Sequence, residues 1–134
     1  MANIIVLDVG SYGTSHRACE ILSGRGHNAK VYKHASHAKA DMEIQAPDIL
    51  ALSRLYIPDG FESFMQYIKE WYSRTEAATK LVLIDNPQTD AVTQVKWESD
   101  IAASLCIRPC TEGKEPDFCD LMNMICCFEQ LIYR

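Results

Sequence analysis

The sequence has few glycines and prolines and lacks a long hydrophobic run. Its 134 residues include 6 glycines and 5 prolines, too few for a collagen-like or low-complexity chain. No apolar stretch approaches the roughly 18 residues needed to cross a bilayer. The first three residues lack the basic region of a secretory signal. We therefore expect one globular domain, residues 1–134, that lies in the cytoplasm and does not enter a membrane.

The sequence also has fewer basic than acidic residues. The chain has 13 lysines and arginines against 18 aspartates and glutamates, which gives a formal net charge of -5. No run of basic residues occurs. Because nonspecific nucleic-acid binding depends on neutralising phosphates, this balance argues against nucleic acid as a partner of this domain.

Paired metal-ligand motifs are also missing. The six cysteines include no Cys-x-x-Cys pair, which zinc sites use, and we expect free thiols in a reducing compartment. His34 and His37 have no cysteine nearby, and we interpret them as surface histidines. We expect no metal and no cofactor. Cys119 and Cys126, seven residues apart on a predicted helix, would permit an oxidation-dependent homodimer.

Apolar runs alternate with helical patterns along the chain. Short aliphatic and β-branched runs predict strands at Ile4–Asp8, Ala29–Tyr32, Asp48–Ser53, Lys80–Asp85 and Ser104–Arg108. Apolar residues at helical spacing predict helices between and after them: from a Ser15 cap, over His37–Ile44, from Asp59–Gly60, over Thr89–Ile101 and from Phe118. The third helix is predicted to bury Phe61, Phe64, Met65, Ile68 and Tyr72, and the last to bury Phe118, Leu121, Met122, Ile125 and Phe128.

This alternation predicts an α/β fold of the flavodoxin-like, doubly wound class. We expect a five-stranded parallel sheet in the order 2-1-3-4-5 with helices on both faces. In such sheets ligands gather at the carboxyl ends of the strands. The residues at those ends, and hence the candidate site residues, are Asp8, Ser53, Asp85, Asn86 and Arg108.

Three short motifs carry a resemblance to a known family. Pro47–Asp48 begins the third strand, Pro58-Asp59-Gly60-Phe61-Glu62 leads into the third helix, and a basic residue precedes Pro109 after the fifth strand. Together with the order of elements, they resemble the receiver domains of bacterial response regulators over nearly the whole chain. The resemblance implies a switch in which an acidic pair holds Mg²⁺ and an aspartate ending the third strand accepts a phosphoryl group.

The sequence departs from that family at the positions that carry the chemistry. Asp8 matches one member of the acidic pair, but its neighbour Val9 cannot bind a cation. Ser53 stands where the phosphoacceptor aspartate is expected, Asp85 or Asn86 stands where the family has Ser or Thr, and Arg108 replaces a lysine. We therefore expect a degenerate receiver that is not an enzyme, in which Arg108 pairs with Asp8 or Asp85.

A degenerate receiver can still bind a protein partner. In the family the fourth helix, fifth strand and fifth helix form the surface that meets partners, and here that surface would include Val95, Trp97 and Cys110. Tryptophan is enriched among residues that dominate binding energy. The expected function is therefore a signalling or regulatory interaction module, either freestanding or part of a longer regulator.

Two other interpretations stay open. Asp8-Val9-Gly10-Ser11-Tyr12-Gly13 resembles the Asp-x-His-x-x-Gly loop of cobalamin-binding domains, but Gly10 stands where the cobalt-ligating histidine is expected. The same glycines would also permit phosphate binding at a helix N-terminus, although their spacing matches neither a Walker loop nor Gly-x-Gly-x-x-Gly. We keep a cobalamin-like or other small-ligand domain as the alternative.

Overall fold

The computed structural model describes residues 2–7, 14–53, 61–75, 78–84, 105–107 and 118–133. Its strands are β1 (Asn3–Leu7), β2 (Asn28–Tyr32), β3 (Ile49–Ser53), β4 (Lys80–Ile84) and β5 (Leu105–Ile107). Its helices are α1 (Thr14–Gly24), α2 (Ala35–Ile44), α3 (Phe61–Thr75) and α4 (Phe118–Ile132). The helix predicted over Thr89–Ile101 lies outside the described residues.

The strands form a parallel sheet with helices packed against it. Their spatial order is β2-β1-β3-β4-β5, and each neighbouring pair is parallel. Parallel neighbours require crossover connections, and α1, α2 and α3 follow β1, β2 and β3 along the chain. The predicted α/β class with a parallel sheet and helices is confirmed.

The central strands β1 and β3 are buried on both faces of the sheet. Successive side chains of a strand point to opposite faces, so Ile4 and Val6 enter one core cluster, whereas Ile5 and Leu7 enter the other. Residues 49–52 of β3 alternate in the same way. This two-sided burial explains why both segments are continuous apolar runs instead of alternating apolar and polar residues.

Of the helices that the structure describes, two cover each face of the sheet. α1 and α4 cover the first face, with Leu22 and Phe128 fully buried there. α2 and α3 cover the second face, and α3 contributes Phe64, Ile68 and Trp71 at the i, i+4, i+7 spacing of one helical stripe. None of the helices in the described part of the chain is long and apolar enough to cross a membrane.

The structure corrects three details of the sequence-based prediction. Met122 is 37% exposed, and Met124 is buried in its place, because the buried stripe of α4 runs through positions 121, 124, 125, 128 and 131. Trp71, which the prediction left out of the core, is completely buried, whereas Tyr72 is half-buried. Ser15 does not precede α1 as a cap, because the helix already begins at Thr14.

The turn after α1 depends on glycine. Gly26 has a φ of 93°, in the left-handed region that L side chains rarely adopt. The N–H of Gly26 donates to the carbonyl of Ser23, and the N–H of His27 donates to that of Leu22. This is the Schellman pattern that satisfies the last carbonyls of a helix, and it leads the chain directly into β2.

We expect Phe128→Ala to lower the free energy of unfolding by about 3–5 kcal/mol, because it leaves a large cavity in a fully packed region. Met122→Ala on the same helix is the matched control, and it should change that free energy by less than about 0.5 kcal/mol. Urea unfolding monitored by circular dichroism measures both values. Equal effects of the two substitutions would contradict the placement of the α4 stripe.

Candidate functional site

The carboxyl ends of the parallel strands meet at one edge of the sheet, which we call the carboxyl edge. Leu7, the last residue of β1, pairs with Leu52 of β3. Ser53, the last residue of β3, pairs with Ile84, the last residue of β4, and Ile84 pairs with Ile107. The four strands therefore end within one residue of the same level. In doubly wound sheets this is the edge at which ligands bind.

Ser53 is the one predicted site residue whose backbone the structure describes. It occupies the end of β3, as predicted. The other predicted pocket and surface residues lie outside the described residues: Asp8, Val9, Asp85, Asn86, Arg108, Val95, Trp97 and Cys110. In the sequence Asp8 directly follows β1, Asp85 follows β4 and Arg108 follows β5, so their proximity stays a prediction.

A tyrosine that the sequence analysis did not single out lies at the same edge. Tyr32 is the last residue of β2 and pairs with Leu7. Its hydroxyl donates a hydrogen bond to the Asp41 carboxylate on α2, and the Lys30 Nζ lies 3.6 Å from the same carboxylate. Burial, followed by this hydrogen bond and the negative charge of Asp41, raises the pKa of Tyr32 to about 12.

Two histidines begin α2 beside this edge. His34 is the N-cap residue, in an extended conformation, and its side chain makes no capping hydrogen bond. The ring centroids of His34 and His37 lie 5.2 Å apart in a T-shaped arrangement, and both residues are exposed, as predicted. Across the part of the chain that the structure describes, no three potential metal ligands come together.

No family model matches the chain, and no curated protein matches it. Solved structures do. The non-phosphorylated HemR receiver domain from Leptospira biflexa aligns with a TM-score of 0.71 at 17% identity, covering 98% of this chain and 94% of that chain. A response regulator from Desulfuromonas acetoxidans aligns with a TM-score of 0.72 at 10% identity, covering 99% and 98%. NtrX from Brucella abortus, solved with ADP, aligns with a TM-score of 0.69 at 19% identity.

The chain has the receiver fold of response regulators. The alignments cover nearly all of the isolated receiver domains, which confirms the predicted resemblance at the level of the fold. The alignment with NtrX covers 99% of this chain but only 26% of the NtrX chain. The activity and the partners of such longer proteins are therefore not transferred to this chain by the alignment.

The opposite, amino edge of this receiver fold has an open groove of about 370 Å³. Its polar groups already have partners within the protein. Lys80 Nζ donates to the carbonyl of Leu131 at 2.7 Å, and the Asp48 carboxylate accepts the N–H of Asn3 at 2.8 Å. Because these groups hold α4 and the strands together, the groove is better explained as a structural junction than as a ligand site.

Sequence reasoning missed the side-chain contacts that join α2 to its neighbours. Glu43 on α2 accepts hydrogen bonds from Arg74 and Tyr67 on α3. Asp41 similarly meets Tyr32 on β2. The only sequence signal was the presence of polar residues on a helix with few apolar positions, and such residues are ordinarily assigned to a solvated face.

We expect the pKa of Tyr32 to lie near 12, well above the value of about 10 for an exposed tyrosine. Because folding favours the neutral phenol, this group stabilises the fold below pH ~10, and its contribution disappears as the pH rises towards 12. NMR titration of ¹³C-labelled tyrosine, with Tyr32→Phe to assign the signal, measures the pKa. A midpoint at the value of an exposed tyrosine would contradict the hydrogen bond to Asp41.

Proposed function

We propose that this chain is a signalling module that binds a protein partner and does not accept a phosphoryl group. One observation carries the proposal: β3 of a receiver fold ends in Ser53, level with the ends of β1 and β4. In the receiver family this is the position of the phosphoacceptor aspartate. A serine hydroxyl cannot form an acyl phosphate, and it lacks the negative charge of a carboxylate.

The residues around β1 do not fit the magnesium site of the family. Leu7 is completely buried in the core that α2 and α3 cover. Its aliphatic side chain has no oxygen that could bind a cation. Asp8 and Val9 follow it in the sequence, which leaves one carboxylate where the family has a pair. Mg²⁺ depends on carboxylate oxygens in a near-octahedral shell, and we propose that this chain functions without it.

The remaining charged residues of the carboxyl edge have a structural role in this proposal. Arg108 follows β5, and Asp85 follows the neighbouring β4. A guanidinium forms bidentate pairs with carboxylates. We propose that Arg108 pairs with Asp8 or Asp85 in a fixed ion pair, which replaces the switchable phosphate site.

The partner surface of the proposal includes the last helix. Met122 lies on α4 and is 37% exposed, and Cys126 on the same face is exposed as well. Together with Val95, Trp97 and Cys110, these side chains would give an apolar patch of the kind that protein partners cover. No contact or pocket in the described residues favours the cobalamin alternative.

We expect the purified chain to keep its mass when it is incubated with acetyl phosphate and Mg²⁺, because it lacks the carboxylate that would be phosphorylated. Intact mass spectrometry detects the addition of one phosphoryl group. A receiver domain with the complete set of acidic residues, treated in parallel, shows that the phosphodonor is active. A phosphoryl group on a residue next to a strand end of this chain would refute the proposal.

We expect Trp97→Ala to remove the captured partner when the chain is used as bait in an extract of its native cell, because truncation of a central tryptophan removes much of the binding energy. Ile44→Ala is the matched control, since Ile44 is 84% exposed on the far side of the sheet from α4. Both variants must unfold at the temperature of the unmodified chain. Retention of the same partner by Trp97→Ala would exclude that residue from the interface.

A further inference from the structure

The second helix is the most weakly buried of the described helices. α2 has ten residues, and only Ala38 and Met42 are buried. By comparison, α3 buries Phe64, Ile68 and Trp71. Since hydrophobic stabilisation is roughly proportional to the apolar area that is buried, α2 gains much less from packing than the helices around it.

Several polar side chains of α2 also contact the elements packed around it. The Glu43 carboxylate accepts hydrogen bonds from both terminal guanidinium nitrogens of Arg74, at 2.7 and 3.0 Å, and from the hydroxyl of Tyr67 at 2.7 Å. These bonds hold the pKa of the Glu43 carboxyl at about 2. Glu43 and Arg74 remain about half exposed, so solvent and salt weaken the pair.

Two further contacts complete the attachment. The Lys39 Nζ lies over the rings of Tyr67 and Phe64, 4.9 and 5.8 Å from their centroids, which is cation–π geometry. Asp41 holds the other side of the helix through the Tyr32 hydroxyl. Each such contact contributes little at an exposed site.

The helical conformation of α2 depends on its packing against the rest of the protein. Isolated helices shorter than about 12 residues are marginal in water. The first turn of α2 has no acidic residue, its last turn has no basic residue, and the N-cap side chain of His34 makes no capping bond. Undocking and unwinding should therefore occur together as one local event.

We propose that α2 is a releasable helix, which undocks and unwinds while the sheet, α1, α3 and α4 stay folded, and that the contact of Glu43 with Arg74 and Tyr67 controls how often it opens. Opening would expose the apolar surface that Ala38 and Met42 cover. It would also free the connection after β2, at the carboxyl edge. This opening of α2 does not depend on the chemistry of Ser53, so the test of the opening is independent of the test of the proposed function.

Hydrogen–deuterium exchange on the full chain tests the proposal. Amides of residues 35–44 should exchange through an opening of lower free energy than those of α1 and α3. Arg74→Gln breaks the contact from the α3 side without changing the sequence of α2. It should increase the open population of α2 about two- to fivefold, as expected for the loss of an exposed ion pair, and leave the exchange of α1 unchanged. Raising the salt from about 0.05 M to about 1 M should act in the same direction.

Glu20→Gln is the matched control, because Glu20 pairs with Arg17 inside a single helix, α1. It should leave the exchange of α2 unchanged. Two results would overturn the proposal. One is exchange of α2 only through global unfolding, at the same free energy as the core. The other is an Arg74→Gln variant in which α2 exchanges as it does in the unmodified chain.

Discussion

Burial of β1 and β3 on both faces is the constraint on which the rest of the structure depends. Residues 4–7 and 49–52 are almost completely inaccessible to solvent, and their side chains alternate between two separate cores. A strand in this position needs helices on both sides, because its apolar side chains would otherwise face water. The same constraint fixes the register, since a shift by one residue would exchange the two sets of side chains.

The two cores are built differently. On the first face, α1 and α4 meet over a continuous apolar cluster, and the end of α4 is tied by Arg25 to Glu129 and by Lys80 to a backbone carbonyl. On the second face, α3 supplies the large side chains, and α2 adds Ala38 and Met42 to the core and polar contacts through Glu43, Asp41 and Lys39. Among the described helices, α2 therefore contributes the fewest buried apolar side chains.

Much of the fold was predictable because the strongest signals in the sequence come from its most buried segments. The runs at Ile4–Leu7 and Ile49–Leu52 identify central strands, and Pro47 and Gly26 lie close to boundaries between elements. The sequence analysis omitted Trp71 from the core and placed Met122 in it wrongly, because residue type indicates apolarity but not the direction in which a side chain points on a helix. Contacts such as Glu43 with Arg74 join residues 31 positions apart, and no local pattern predicts them.

The candidate site was predictable only in part, for a related reason. The end of β3 at Ser53 follows from the apolar run before it, whereas no periodic pattern in the sequence predicts where the polar residues that follow β1, β4 and β5 lie. Asp48 belongs to a motif that carries the family resemblance, and its contacts in the structure join strands of the sheet. Its carboxylate and backbone N–H both bond to Asn3, and its carbonyl accepts the N–H of Lys80.

The start of β3 is thus tied to β1 and β4 by a residue that forms part of the family resemblance. The contacts of Asp48 thus stabilise the sheet at the edge opposite to the candidate site. At the carboxyl edge, we propose only the ion pair of Arg108 with Asp8 or Asp85 as a side-chain contact between strands. The contacts of Asp48 do not involve the end of β3, so an intact sheet is compatible with the proposed function, in which the domain binds a partner and Ser53 accepts no phosphoryl group.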